Sequence, residues 1–228
     1  MPVYRLNKEI IFPPPQLAGE EGLLAIGGDL SKERLLLAYN LGIFPWYSKG
    51  EPILWWSPDP RLVLYPDEIR VSKSLYKVIK KEIFHITFDS AFEQVINSCA
   101  FTNNRKTEGT WIVPEMIDAY CMLHKSGYAH SVEAWKDNKL AGGLYGVSLG
   151  KCFFGESMFS VESNASKVAF VALSQYLKDN AFDFIDCQIA TEHLKRFGAK
   201  EIPRSLFLKQ LKKALALPTL KGKWEYES

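Results

Sequence analysis

Cysteine and histidine are scarce, four of each in 228 residues, and their placement excludes several chemistries. Cys99, Cys121, Cys152 and Cys187 form no C-x-x-C pair and no His-Cys spacing suited to zinc, so they read as reduced core residues and no metal site is expected. His85, His124, His130 and His193 fall on different predicted elements, without an H-E-x-x-H pair or the G-x-S-x-G turn of a serine nucleophile. Only His193 invites a functional role, because it follows Gln188 closely in the chain. Long apolar runs are also missing. None approaches the ~20 residues of a membrane span, and "MPVYRLNKEI" lacks the apolar stretch of a secretory signal, so a cytoplasmic protein with no membrane partner is expected. Glycine-rich phosphate loops are absent: "AIGGDL" and "AGGLYG" match neither G-x-G-x-x-G nor G-x-x-x-x-G-K-[ST], and read as turns and a bulged strand. Excess charge is small, +2, so a partner as acidic as nucleic acid must be met by local clusters and held in a salt-sensitive way.

What is present is the composition of an ordinary globular protein, 47% hydrophobic and 24% charged, long enough for one large domain or one with a smaller companion. The first sixty residues are dense in turn formers, "FPPPQLAGEEGLLAIGGDLS" and "GIFPWYSKGEPILWWSPDP". Between them the pattern predicts a helix with Ser31 as N-cap, Leu35, Leu36 and Ala38 inside, and Gly42 past its end. This suggests a small irregular N-terminal domain over 1–60 and a larger one over 61–228, with Pro58, Asp59 and Pro60 as the boundary; the same cluster would also suit a loop. Beyond it, strands and helices alternate. Strands are expected near Leu62–Tyr65 and Ile86–Phe88, then in "AHSVEAW", "KLAGGLYGVSL" and "KCFFGESMF", and helices from Ser72, Ser90, Pro114, Asn164, Thr191 and Pro203. The fold class is α+β, layered, with a mixed central sheet in an order that resembles an N-acetyltransferase-like (GNAT-like) core. The turn "GESMFSVESN", however, lacks the short glycine-rich loop with which such enzymes hold the pyrophosphate of coenzyme A.

Several residues stand out against their surroundings. In "FDFIDCQIA" strict alternation would put Phe182, Phe184, Asp186 and Gln188 on one face, and a carboxylate among aromatics needs either a partner or a task. Glu156 interrupts the aromatic run "FFGESMF" directly after a glycine, where a strand bends and an acid can face a cleft; an exposed turn acid fits the pattern as well. Trp46, Tyr47, Trp55, Trp56, Trp111 and Tyr120 could stack on a nucleobase or fill a core, and Trp55 and Trp56 suit the core better. In "SKSLYKVIKK", Lys73, Lys77, Lys80 and Lys81 stand at i, i+4, i+7 and i+8, one stripe of a helix. A phosphate backbone would relieve their mutual repulsion, although a solvated face is the commoner use of single lysines.

Together "GLLAIGGDLS", "YNLGIFPWYS", "PILWWSPDPR", "GTWI", "GESMFS", "NASK" and "DCQ" resemble the motifs of the leucyl/phenylalanyl-tRNA-protein transferase family, from about Leu23 to Arg204. The resemblance implies an enzyme that takes leucine or phenylalanine, and methionine more weakly, from aminoacyl-tRNA. It joins the amino acid to the α-amine of proteins beginning in lysine or arginine, marking them for N-degron degradation, with no metal or coenzyme. It also implies residue roles. Asp186 and Gln188 match the catalytic pair and Glu156 a site acid, while Trp46, Trp111 and Tyr120 match residues around the aminoacyl-adenosine end. Leu144, Phe153, Met158, Ser160 and Ile185 match positions lining the amino-acid pocket, and Lys73, Lys77, Lys80 and Lys81 match the tRNA-binding helix with lysine replacing several arginines. Leu144 falls where some relatives carry methionine, and Thr191 where some carry asparagine, which puts any hydrogen bond from that position in doubt. On this reading Asp186, oriented through Gln188, prepares the acceptor amine. Two competing functions are an acetyl-coenzyme A dependent N-acetyltransferase and a non-catalytic tRNA-binding module.

Overall fold

Turn formers cut the N-terminal part of the chain into pieces too short for strands of ordinary length. In the computed structural model, which describes residues 3–101 and 112–225, these pieces still pair edge to edge. Strands β1 (Tyr4–Leu6), β2 (Leu23–Gly27), β3 (Phe44–Pro45) and β4 (Leu54–Trp56) form a four-stranded sheet in the order β1-β2-β4-β3. The sequence suggested only an irregular segment here, because two- and three-residue strands carry too little alternation to register. Helix α1 (Lys32–Asn40) begins as expected, with the Ser31 hydroxyl accepting the Arg34 N–H at 3.4 Å. Gly42 follows with φ +70°, and a Cβ there would stand 2.7 Å from the Phe207 ring, so glycine lets the helix end close onto the C-terminal segment.

The remaining elements, in chain order, are β5 (Arg61–Leu64), α2 (Lys73–Ile79), β6 (His85–Phe88), α3 (Phe92–Phe101), α4 (Pro114–Lys125), β7 (Ala129–Lys136), β8 (Lys139–Leu149) and β9 (Cys152–Ser160). They end with α5 (Ala165–Asp179), β10 (Phe184–Gln188), α6 (Glu192–Arg196), β11 (Lys200–Ile202) and α7 (Arg204–Ala214). Seven strands make one sheet in the order β11-β5-β10-β9-β8-β7-β6. Every neighbouring pair is antiparallel except β9 and β10, which run parallel and therefore need the crossover that α5 supplies.

The two faces of this sheet carry different cargo because alternate residues point opposite ways. Phe154 and Phe184 pack with Tyr39, Trp55 and Phe207, so the small N-terminal domain and the large sheet share one core. Phe153 and Ile185 pack on the other face with Val168, Leu173 and Leu177 of α5. Each such apolar side chain contributes about 1.5–3 kcal/mol on burial, which fixes α5 against β7, β8 and β9. The class is mixed α+β with a small N-terminal domain. All four cysteines are free, and among the described residues no helix is long and apolar enough to cross a membrane.

Candidate active site

Two adjacent strands break their alternation at the same level of the sheet. On β9, Ser157 lies opposite Tyr145 and Gly155 opposite Gly146, so Glu156 is the extra residue of a β-bulge. On β10, Asp186 lies opposite Val63 and Gln188 opposite Leu62, which leaves Cys187 over. Gln188 takes φ +61°, a left-handed conformation costly for a side chain of this kind. Two hydrogen bonds hold it there: its backbone N–H donates to Asp186 Oδ1 at 2.9 Å, and its Nε2 donates to Glu156 Oε1 at 2.8 Å.

The bulge at Cys187 separates the two residues that alternation had put on one face. Asp186 stays on the Phe184 side, fully buried, where Arg61 Nε and Nη2 donate to its two oxygens at 2.8 and 2.7 Å. The guanidinium carbon of Arg61 lies 4.8 Å from the Phe44 ring centre and 4.5 Å from that of Phe207. Gln188, by contrast, is turned to the opposite side and lines a cavity of about 440 Å³ together with Glu156. The common face expected for Asp186 and Gln188 is thus corrected: Asp186 lies outside the cavity wall, locked to Arg61, and its link to the cavity runs through the Gln188 backbone.

Glu156 is the acid that faces the cavity. Its Oε1 accepts from Tyr39 at 2.8 Å and from Gln188, its Oε2 accepts from Tyr120 at 3.0 Å, and the two tyrosine hydroxyls form a short hydrogen bond with each other. Burial pushes its pKa up to about 7, with Asp186 adding to the rise and the bonds from Tyr39, Tyr120 and Gln188 opposing it. Burial first, and the neighbouring carboxyl second, hold both tyrosines well above their ordinary range. A carboxyl group that titrates near neutrality at a cavity wall is suited to accept and return a proton.

The other expected site residues divide clearly. Leu144, Phe153, Met158 and Ile185 line the cavity beside Phe170 and Leu173, and Trp46 stands at its wall, 39% exposed. Tyr120 does not reach it and lies behind Glu156. Ser160 is not part of the wall: its hydroxyl donates to Glu162 O and accepts the Ser166 N–H, closing the start of α5. Thr191 lines the cavity and caps α6 by accepting the Leu194 N–H at 3.3 Å. His193 also lines it, and burial, with Lys167 and Arg196 nearby, lowers its pKa. Trp111 lies outside the described residues. Lys73 and Lys77 sit on α2, whereas Lys80 and Lys81 occupy the turn after it, so the stripe is shorter than the spacing suggested; all four are exposed and none lines the cavity. Sequence reading missed Tyr39 and Arg61, whose parts in the site depend on partners far along the chain.

Known proteins resemble this chain along its whole length. The family described as leucyl/phenylalanyl-tRNA protein transferase matches residues 63–212, and its N-terminal domain matches residues 28–59. A leucyl/phenylalanyl-tRNA–protein transferase of Desulfatibacillum aliphaticivorans is 59% identical over 228 residues, covering 100% of this chain and 98% of that protein. One of Syntrophus aciditrophicus is 58% identical, covering 98% and 94%. Likeness to solved structures is looser: a functionally unknown conserved protein of Staphylococcus epidermidis has a TM-score of 0.42 at 11% identity, covering 79% of this chain and 68% of its own. With both family regions present and identity near 60% along the whole chain, the protein belongs to the leucyl/phenylalanyl-tRNA–protein transferase family.

Proposed function

We propose that the chain transfers leucine or phenylalanine, and methionine more weakly, from aminoacyl-tRNA to the α-amine of proteins beginning in lysine or arginine, marking them for N-degron degradation in the cytoplasm. One observation carries this reading: an apolar cavity of about 440 Å³ whose wall ends on a buried carboxyl group with a pKa of about 7. A cavity of this size is in the range that encloses small organic groups.

An aminoacyl ester is already activated, so the enzyme must align ester and amine and remove a proton. Alignment can supply about 7–11 kcal/mol of barrier lowering in ideal geometry. In this proposal Leu144, Phe153, Met158 and Ile185 receive the amino-acid side chain, and Trp46 meets the adenosine. An apolar pocket separates side chains differing by one methylene by only ~1–3 kcal/mol, which fits tolerance of leucine, phenylalanine and some methionine. Glu156 takes the proton of the acceptor ammonium, Gln188 orients Glu156, and Asp186 with Arg61 holds the Gln188 backbone. Lys73, Lys77, Lys80 and Lys81 meet tRNA phosphates without reading sequence.

We propose further that residues 61–228 form a GNAT-like acyltransferase core, with a small domain over 1–60. The single parallel pair of the seven-stranded sheet, β9 and β10, with the site at their bulges, supports it, as do the two family regions on either side of residue 60. Incubation with labelled phenylalanyl-tRNA and two peptides, one starting with arginine and one with alanine, tests the function. Label should pass only to the first, and saturable binding of acetyl-coenzyme A with no such transfer would overturn the assignment.

A further inference from the structure

The oxygens around Glu156 form a closed ring. Tyr39, carried by α1 of the small domain, and Tyr120, carried by α4, are both 0% exposed, and Glu156 at the β9 bulge is 9% exposed. Three hydrogen bonds join three groups: Glu156 Oε1 to the Tyr39 hydroxyl at 2.8 Å, Glu156 Oε2 to the Tyr120 hydroxyl at 3.0 Å, and the short bond between the hydroxyls. With Glu156 ionised, two phenolic protons must serve three oxygen pairs, and one pair meets with lone pairs only. With Glu156 neutral, three protons serve three pairs and each group donates once and accepts once. Gln188 Nε2 donates to Oε1 in either state, so it does not change the count.

We propose that Tyr39 and Tyr120 are positioning residues which, with Glu156, make a three-membered hydrogen-bond ring that stores the one proton removed from the acceptor's ammonium. The proposal rests on the transfer reaction above and assigns its proton. Among the described residues no cation pairs with Glu156, so a negative charge there is answered by two phenols and an amide alone. The groups facing it are Tyr39 from α1, Tyr120 from α4 and Gln188 from β10. Asp186 acts from beyond Gln188, paired to Arg61, and Tyr145 of β8 lies edge-on to Tyr120 with ring centres 5.5 Å apart. Neither Tyr39 nor Tyr120 lines the cavity, whereas Glu156 does, so the proton enters and leaves through the carboxyl group.

The ammonium gives one proton to Glu156, and the freed amine lone pair forms the bond to the ester carbonyl carbon. As the bond from that carbon to the ribose oxygen breaks, a second proton passes from the nitrogen to the ribose oxygen, and the third remains on the new amide. The surplus proton stays in the ring until it returns to water.

Single-turnover kcat/KM for transfer from phenylalanyl-tRNA to an arginine-initiated peptide, measured against pH, tests this. The wild-type profile should have an acidic limb near the Glu156 value of about 7 and a second limb set by the peptide's own α-amine. Tyr39→Phe and Tyr120→Phe each remove a donor to the carboxylate. Each also opens the ring and should displace the acidic limb by roughly one unit or more, leaving the second limb and the donor KM in place. If rates fall in both variants while the limb stays fixed, the tyrosines only pack and the proposal fails. Infrared difference spectra of the wild-type chain keep the test open should a variant not fold. A protonated-carboxyl band that disappears near neutrality, and is missing from Glu156→Gln, is expected, while titration in the ordinary carboxylate range would overturn the ring. Failure of the transferase reading is separate, since wild type would then give no transfer at any pH.

Discussion

Replacing Asp186 by asparagine separates the two acids of the site. In the folded chain Asp186 accepts Arg61 Nε and Nη2 at 2.8 and 2.7 Å, and the two side chains are 0% and 1% exposed. Removing the charge leaves the guanidinium buried between Phe44 and Phe207 without its counter-ion. Breaking a buried pair by deleting one partner costs about 3–5 kcal/mol, and asparagine, which retains one oxygen, should fall near the lower figure. Against a total of about 5–15 kcal/mol the variant still folds. Its remaining oxygen can accept the Gln188 N–H as Asp186 Oδ1 does now, so Gln188 keeps its place beside Glu156. Urea unfolding should therefore show a loss of about 3 kcal/mol, while kcat/KM of the folded variant stays within about tenfold of wild type, the scale of one disturbed hydrogen bond. Glu156→Gln should behave in the opposite sense, with kcat/KM lowered ~10²–10⁴-fold. In Arg61→Met with Asp186→Leu the pair gives way to apolar side chains; stability should recover, but activity should fall below that of Asp186→Asn because the Gln188 N–H has lost its acceptor. An Asp186→Asn protein as stable as wild type and as inactive as Glu156→Gln would refute the reasoning and return the base role to Asp186.

Glu156 also sets a pH dependence of stability. Its folded value of about 7 exceeds the ordinary glutamate value of 4.5, so its contribution is fully present below about pH 4.5 and is lost as pH rises through 7, a change of roughly 3 kcal/mol. The stability difference between wild type and Glu156→Gln, followed by urea unfolding, should shrink by about that amount from acid to pH 8, and a constant difference would contradict the raised pKa. Lys77→Gln with Lys80→Gln should weaken tRNA binding and lower the slope of log affinity against log salt by about one for each phosphate no longer neutralised. An unchanged slope in filter binding would remove α2 from the interface. Leu144 lines the cavity, so Leu144→Phe should reduce its room and lower phenylalanyl relative to leucyl transfer ~10–200-fold in a competition of the two charged tRNAs. Equal transfer of both would show that the side chain is received elsewhere.

The fold was legible where sequence signals are local. Ser31, Ser72 and Thr191 cap α1, α2 and α6 by accepting a backbone N–H, as their positions before apolar-periodic segments implied. The three long runs became β7, β8 and β9, since strand-like runs cut by the turn signals "KDN" and "LG" are hard to mistake. β11 was not read because three residues, Lys200–Ile202, hold no usable period and owe their strand form to pairing with β5. The N-terminal sheet escaped for the same reason: β1 pairs with β2 only after the chain has passed a proline-rich loop.

The candidate site was legible as residue types and illegible as directions. Glu156 after Gly155 carried a local signal, since an acid at a glycine bend has reason to face a cleft, and that is where the bulge puts it. Asp186 carried an equally local signal, and there the inference failed. A rule of period two holds only while the ladder is unbroken, and one extra residue at Cys187 sends Gln188 to the cavity while Asp186 keeps the side of Phe184. Nothing within the nine residues of "FDFIDCQIA" announces the bulge. Its cause is tertiary: Arg61, 125 positions earlier, claims both Asp186 oxygens, and Glu156 claims the Gln188 amide from the neighbouring strand. Tyr39 is hidden in the same way, as a helical core tyrosine until α1 is laid against β9. A sequence can therefore nominate the acids of such a site, but which acid meets the substrate is decided by contacts that close only when the small domain and the large sheet form their common core.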